Sequence, residues 1–103
     1  MVIVDADVMI EVLRKNPAIA SYLKNEIEAV NIVLSAVTIA EIQQGATNKE
    51  DFSHDTDIAD TFVAATALHY QLPLLTMNQK HYKHIPRLQL IRHTLKPLQG
   101  RKA

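Results

Sequence analysis

The chain has no cysteine, which excludes a disulfide framework and any thiolate metal site and is compatible with a reducing compartment. Two glycines and four prolines in 103 residues are too few for a long flexible or low-complexity segment. No apolar run reaches the roughly 18 residues that a membrane span needs. The first residues, Met-Val-Ile-Val before Asp5 and Asp7, carry neither the basic flank nor the long apolar stretch of an export signal. A cytoplasmic protein with no membrane partner is therefore expected. Acidic residues are absent from the C-terminal part: all eleven lie between Asp5 and Asp60, whereas seven of the eleven Lys and Arg lie between Lys80 and Lys102. The net charge of zero hides this split. It suits an acidic metal site beside a surface for a phosphate backbone, and it equally suits two halves that pair with each other.

What is present is the composition of one small globular domain, 48% hydrophobic, which must bury much of its apolar surface to be stable. Val2-Ile3-Val4 reads as a buried strand, and Val8, Met9, Ile10, Val12 and Leu13 recur at helical spacing behind it. Asn16-Pro17 suits the cap and first turn of a second helix, with Ile19, Tyr22, Leu23, Ile27 and Val30 as its apolar stripe. Ile32-Val33-Leu34 reads as a second buried strand. Ser35 is placed to cap a helix running to about Gln44, with Gly45 as its terminator. Residues 47–56 are polar and read as loop. From Asp57 to about Tyr70 the pattern is helical and nearly devoid of polar residues after Thr61, which predicts a central helix covered around most of its circumference. Leu74-Leu75-Thr76 is a third strand, 78–84 a short helix or turn, and Leu88 to Ile91 a fourth strand. Helices alternating with short apolar strands predict an α/β layered domain with a parallel sheet over 1–91. Residues 92–103 read as a basic, partly mobile tail.

Three acids stand where a carboxylate needs a reason. Asp5 closes the first strand, at the end where open α/β sheets present their ligand crevice. Glu41 interrupts the apolar run Ala36-Val37-Thr38-Ile39-Ala40-Glu41-Ile42, where a charge is costly without a partner or a metal. Asp60 heads Thr61-Phe62-Val63-Ala64-Ala65-Thr66-Ala67-Leu68, with Asp57 three residues earlier on the same helical face. Asp7 is read as the cap of the first helix in preference to a ligand. Taken singly, each acid is explained as a cap or a solvated charge, and spacing alone does not bring them together. His54, His69, His81, His84 and His93 offer no convincing zinc spacing, and imidazoles facing water are their simplest account. Thr38, Thr66 and Thr76 read as structural, since no Ser/Thr-His-Asp set can be assigned.

Four segments carry a resemblance when taken in order: Val4-Asp5-Ala6-Asp7-Val8-Met9-Ile10; Ser35 to Gly45; Asp60 to Leu68; and Leu74-Leu75-Thr76-Met77-Asn78-Gln79-Lys80-His81-Tyr82. The ordered set resembles the PIN-domain family in its VapC toxin branch. The resemblance implies a three-layer fold with a short central parallel sheet flanked by helices, and a metal-dependent endoribonuclease of a toxin-antitoxin system. It further implies Mg²⁺ or Mn²⁺ held by Asp5, Glu41 and Asp60, with Asn78 as an auxiliary catalytic position. RNA as substrate, a VapB-type antitoxin and a homodimer are the implied partners. The chain departs from the family pattern in two places. The connection between Gly45 and Asp57 is too short for the usual helical hairpin, and Asn78 stands where members carry Asp or Asn. Asn supplies no charge, though its carbonyl can accept from a metal-bound water. Lys80, Lys83 and Arg87 are expected phosphate contacts. The residues leave two other readings open. One is a shortened, non-catalytic PIN-like protein that binds antitoxin or RNA. The other is a haloacid-dehalogenase-like phosphatase with Asp5 as nucleophile and Asp7 as acid/base, which lacks the later motifs of that family.

Overall fold

Among the described residues, short β-branched and leucine runs that alternate with amphipathic segments build a three-stranded parallel sheet with four α-helices around it. The computed structural model describes residues 1–47 and 56–98. In chain order the elements are β1 (Val2–Val4), α1 (Ala6–Leu13), α2 (Pro17–Tyr22), β2 (Ile32–Val33), α3 (Ala36–Thr47), α4 (Thr56–Tyr70) and β3 (Leu74–Leu75). A π-helical turn over Leu23–Ile27 extends α2, and a 3-10 turn spans Gln79–His81. The strand order is β2-β1-β3, so the first strand is central. Its register pairs Ile3 with Val33 on one side and with Leu74 on the other.

Side chains alternate across a strand, and two cores follow from that alternation. Ile3 and Leu74 face α4, where they meet Val63, Ala64, Ala67 and Tyr82. Val4 and Leu75 face the opposite way and pack with Val8 of α1, Ile19 of α2 and Leu23 and Ile27 of the π turn. Ile3, Val4, Leu74 and Leu75 are all fully buried, each worth about 1.5–3 kcal/mol by apolar transfer. Asn16 caps α2 as expected, its Oδ1 accepting from the Ile19 amide at 3.4 Å. Ser35 caps α3, its Oγ accepting from the Thr38 amide at 3.1 Å. With so few glycines, Lys15, Glu28, Gln71 and Arg87 take positive φ values of 64°, 72°, 57° and 67°. A left-handed non-glycine residue costs roughly 1–2 kcal/mol, which the packing on either side must offset.

Several sequence expectations change here. The α3 helix runs through Gly45 to Thr47, because a glycine lowers helix stability without compelling a stop. Val30 leaves the expected stripe and is 80% exposed, since the π turn and the reversal at Glu28 end the helical phase before it. The α4 helix is not sheathed all round: Ile58 and Phe62 are 59% and 58% exposed while Val63 and Ala67 are buried. The expected fourth strand is reduced to one parallel bridge between Leu90 and Leu74. Residues 92–98, read as tail, are tied to the body: the Asn16 side-chain amide donates to the Lys96 carbonyl at 3.1 Å and the Leu98 amide to Glu11 at 2.9 Å. The loop expected within 47–56 lies mostly outside the described residues, as does the end of the basic tail.

Candidate functional site

Because β1 and β3 run parallel, their last residues come out side by side at one end of the sheet. The Asp5 amide still donates to the Leu75 carbonyl at 2.9 Å, so Asp5 is the last rung of that ladder and Thr76 its neighbour. The Thr76 hydroxyl donates to Asp5 Oδ2 at 2.8 Å. Asp5 Oδ1 accepts from the Ala6 amide at 2.8 Å, which makes Asp5 the N-cap of α1. Asp7, expected to be the cap, lies in the first turn instead. Extended backbone ends at Asp5 and the helix starts at Ala6, two residues before a cap at Asp7 requires, so the capping geometry falls on Asp5. Asp7 Oδ2 accepts from the Met77 amide at 3.1 Å and stands 3.3 Å from the Thr76 hydroxyl. Its other oxygen, Oδ1, is buried with no hydrogen-bond partner.

Tyr82, fully buried under α4, joins the first acid to the third. Its hydroxyl lies 3.0 Å from Asp5 Oδ2 and 2.9 Å from Asp60 Oδ1, donating into this pair. A phenol has one proton, so it serves one carboxylate fully or both by sharing. The two acids are thereby held within two hydrogen-bond lengths of each other. Asp60 Oδ2 is in turn 3.0 Å from His81 Nδ1. Beyond this pair, Asp60, Thr61, His81, His84 and Ile85 line an open cleft of about 310 Å³. Glu41, half-buried on α3, feels the same cluster. Burial pushes its carboxyl up to about 7, and the charges of Asp5 and Asp60 add to the push.

Asp5, Asp7 and Tyr82 are raised as well. Burial raises the Asp5 carboxyl, the Asp60 charge adds to that, and the hydrogen bonds from Thr76, Ala6 and Tyr82 oppose it. Burial also pushes Asp7 up to about 7, with the Asp5 charge next in weight. Burial and then the Asp5 and Asp60 carboxylates drive the Tyr82 phenol well above its ordinary value. Asp5 raises Asp7 and Glu41, and Asp60 raises Asp5 and Glu41; protons or a cation relieve such repulsion. Hard carboxylate oxygens, one of them orphaned at Asp7, are the donor chemistry of Mg²⁺ and Mn²⁺. Asp5, Asp7, Glu41 and Asp60 are the residues that could hold such an ion. Among the described residues no three acid or imidazole side chains are gathered to hold an ion as they stand, and the Tyr82 hydroxyl stands between two of the acids.

Asn78 joins this end of the sheet through its backbone, its amide donating to Thr76 Oγ1 at 3.1 Å and its carbonyl accepting from the His81 amide at 3.0 Å. Its side chain makes no cap to the 3-10 turn. Lys80, Lys83 and Arg87 are exposed, but Arg87 lines a separate hollow with Gln71 and Gln89. Thr38 and Thr66 are structural, bonding Ser35 and the Phe62 carbonyl. Sequence reasoning missed Tyr82, His81 and Thr76 as members of the cluster. One signal was available for Tyr82, a lone aromatic in the polar run Asn78 to His84, which has to be buried for a reason. No family model, curated protein or solved structure matches this chain.

Proposed function

We propose that the chain is a PIN-like, VapC-type endoribonuclease that uses Mg²⁺ or Mn²⁺ to hydrolyse RNA phosphodiester bonds. The observation that carries this reading is the meeting of Asp5 and Asp60 across one Tyr82 hydroxyl, within electrostatic reach of Glu41, at the carboxyl end of a parallel sheet. The acids after β1 and on α4, widely separated in the chain, meet there, and the acid on α3 feels their charge, in the order that the resemblance to the VapC branch implies.

In this reading Asp5, Glu41 and Asp60 hold the ion, with Asp7 beside them. When bound, the ion activates a water and neutralises charge developing on the phosphate. Asp5 is oriented for that task from three sides, by Ala6, Thr76 and Tyr82. His81 fixes the outer oxygen of Asp60 and borders the cleft through which a strand can reach the acids. Lys80 and Lys83, exposed on the neighbouring turn, offer charge to flanking phosphates. A VapB-type antitoxin and a homodimer belong to the same reading. An apolar hollow between α1 and α3, lined by Met9, Val12, Leu13, Leu34, Ile39 and Ile42, supports a protein partner on that side.

A second reading is a shortened PIN-like protein that binds antitoxin or RNA without cutting. The phenol bridging Asp5 and Asp60 favours it, since that hydroxyl places a donor between the two acids without an ion. The test is cleavage of structured RNA by the purified protein with Mg²⁺ or Mn²⁺, with EDTA and Asp5→Asn in parallel. Cleavage lost in both controls, and in Glu41→Gln and Asp60→Asn with fold retained, is the expected result. Binding without cleavage would establish the second reading, and normal cleavage by the three variants would move the site elsewhere.

A further inference from the structure

The peptide unit between Thr76 and Met77 is gripped at both ends. Its N–H donates to Asp7 Oδ2 at 3.1 Å, and its carbonyl is 2.7 Å from His93 Nε2. The other ring nitrogen of His93, Nδ1, accepts from the Leu95 amide at 3.0 Å. A backbone N–H only donates and a carbonyl only accepts, so the ring carries its proton on Nε2 and leaves Nδ1 bare. A single neutral tautomer satisfies both contacts.

We propose that His93 is a positioning residue of the acid cluster, clamping the 76–77 peptide so that the Thr76 hydroxyl and the Met77 amide stay aimed at Asp5 and Asp7. A planar trans peptide transmits the constraint directly: fixing its carbonyl fixes the direction of its N–H. Hydrogen bonds in such a chain also polarise one another, so the bond from His93 strengthens the one to Asp7. Thr76 is fully buried, and its hydroxyl donates to Asp5 while its oxygen accepts from the Asn78 amide. A rotation of the 76–77 peptide therefore disturbs contacts to two acids and to the start of the Asn78 turn.

The segment that carries His93 is held without it. The Ile91 amide donates to the Leu74 carbonyl at 2.9 Å, and Gln79 Nε2 donates to the Ile91 carbonyl at 3.1 Å. Downstream, Asn16 and Glu11 hold Lys96 and Leu98, and Ile91 and Leu95 pack on the core around Val4 and Leu75. His93 is thus not needed to keep the chain in place, and what it adds is the grip on Thr76. The consequence for catalysis rests on the ribonuclease reading, whereas the positioning itself does not.

The test is residue-resolved amide hydrogen exchange on three full-length variants, alongside RNA cleavage. His93→Gln keeps an N–H donor of similar reach, His93→Asn keeps only an acceptor near the Leu95 amide, and His93→Phe keeps the ring and neither contact. The expected result is that Met77 and Asn78 amides exchange about tenfold faster in the Phe and Asn variants while Val63 in α4 does not change. The Gln variant restores protection. Cleavage falls by about tenfold in the same two variants with KM for RNA unchanged, the size usual for partners outside a metal's own ligands. Unchanged exchange at Met77 and Asn78, or equal acceleration at Val63, overturns the proposal. If the wild-type chain cuts no RNA, the nuclease reading fails and the exchange pattern still decides the role of His93.

Discussion

One helix of this protein carries two enclosed carboxylates, and their surroundings could hardly differ more. Glu11, one turn beyond Asp7 on α1, is 2% exposed and is met by donors at both oxygens: Arg14 at 2.9 Å, Asn16 at 3.1 Å and the Leu98 amide at 2.9 Å. Burial raises it, yet those hydrogen bonds and the Arg14 charge outweigh burial and hold it below its ordinary value. Asp7 has donors at one oxygen alone and a like charge at Asp5 beside it, and it is pushed up to about 7. The first is a structural anchor that stitches α1 to residues 96–98. The second is an acid whose environment is left incomplete, as candidate functional groups are.

The largest effect expected from this contrast is Glu11→Ala, which leaves the Asn16 amide and the Leu98 N–H short of an acceptor while the part-exposed Arg14 turns to water, and should lower unfolding free energy by about 3 kcal/mol in urea titration. A loss below about 1 kcal/mol would put Glu11 with ordinary surface charges. Next in size is ion binding: Mn²⁺ at a hundredfold excess over its dissociation constant should stabilise the fold by about 2.7 kcal/mol. The gain should be larger at pH 8 than at pH 5, because protons compete for Asp7 and Glu41, both raised to about 7. It should vanish in Asp5→Asn and persist in Glu11→Gln, and melting curves with and without the ion decide the matter.

Tyr82→Phe keeps the ring in the core and removes the proton shared by Asp5 and Asp60, at an expected cost of about 1–2 kcal/mol. No change by urea titration would mean that the two acids are satisfied without the phenol. The smallest effect is Asp7→Asn, which should leave stability unchanged or raise it by up to about 1 kcal/mol at pH 8. The sign follows from the direction of the shift. A carboxyl raised by folding contributes stability below its unfolded value and loses it as pH rises through about 7. Glu11 runs the other way, contributing above its unfolded value and losing it as pH falls through the lowered one. A pH scan in which both variants shift stability in the same direction would break the comparison.

Much of the fold is legible in the sequence, because the signals are local. The β-branched run at Val2-Ile3-Val4, the Asn16-Pro17 start and the Ser35 cap each act within a turn or so of chain. Strand positions at Ile32-Val33 and Leu74-Leu75 were readable from apolar runs bounded by polar residues. Errors came where a local signal met a longer-range constraint. Gly45 failed to stop α3, Val30 fell off its stripe after the π turn, and the cap moved from Asp7 to Asp5. In the site, Asp5, Glu41 and Asp60 stood out because each sits awkwardly in its own neighbourhood.

Composition and periodicity by themselves determined an α/β chain with a parallel sheet, an acidic N-terminal part, and three acids in need of partners. They act through propensity and burial, which depend on residues a few positions apart. Only the tertiary structure decided that Tyr82 lies between Asp5 and Asp60, that Thr76 serves Asp5 beside Asp7, and that His93 holds the peptide between Thr76 and Met77. A hydrogen bond is set within a few tenths of an ångström, between residues 77 positions apart in the case of Asp5 and Tyr82. No repeat or spacing in the chain encodes such a distance. It is fixed by the parallel register of β1 and β3 and by the packing of α4 against them.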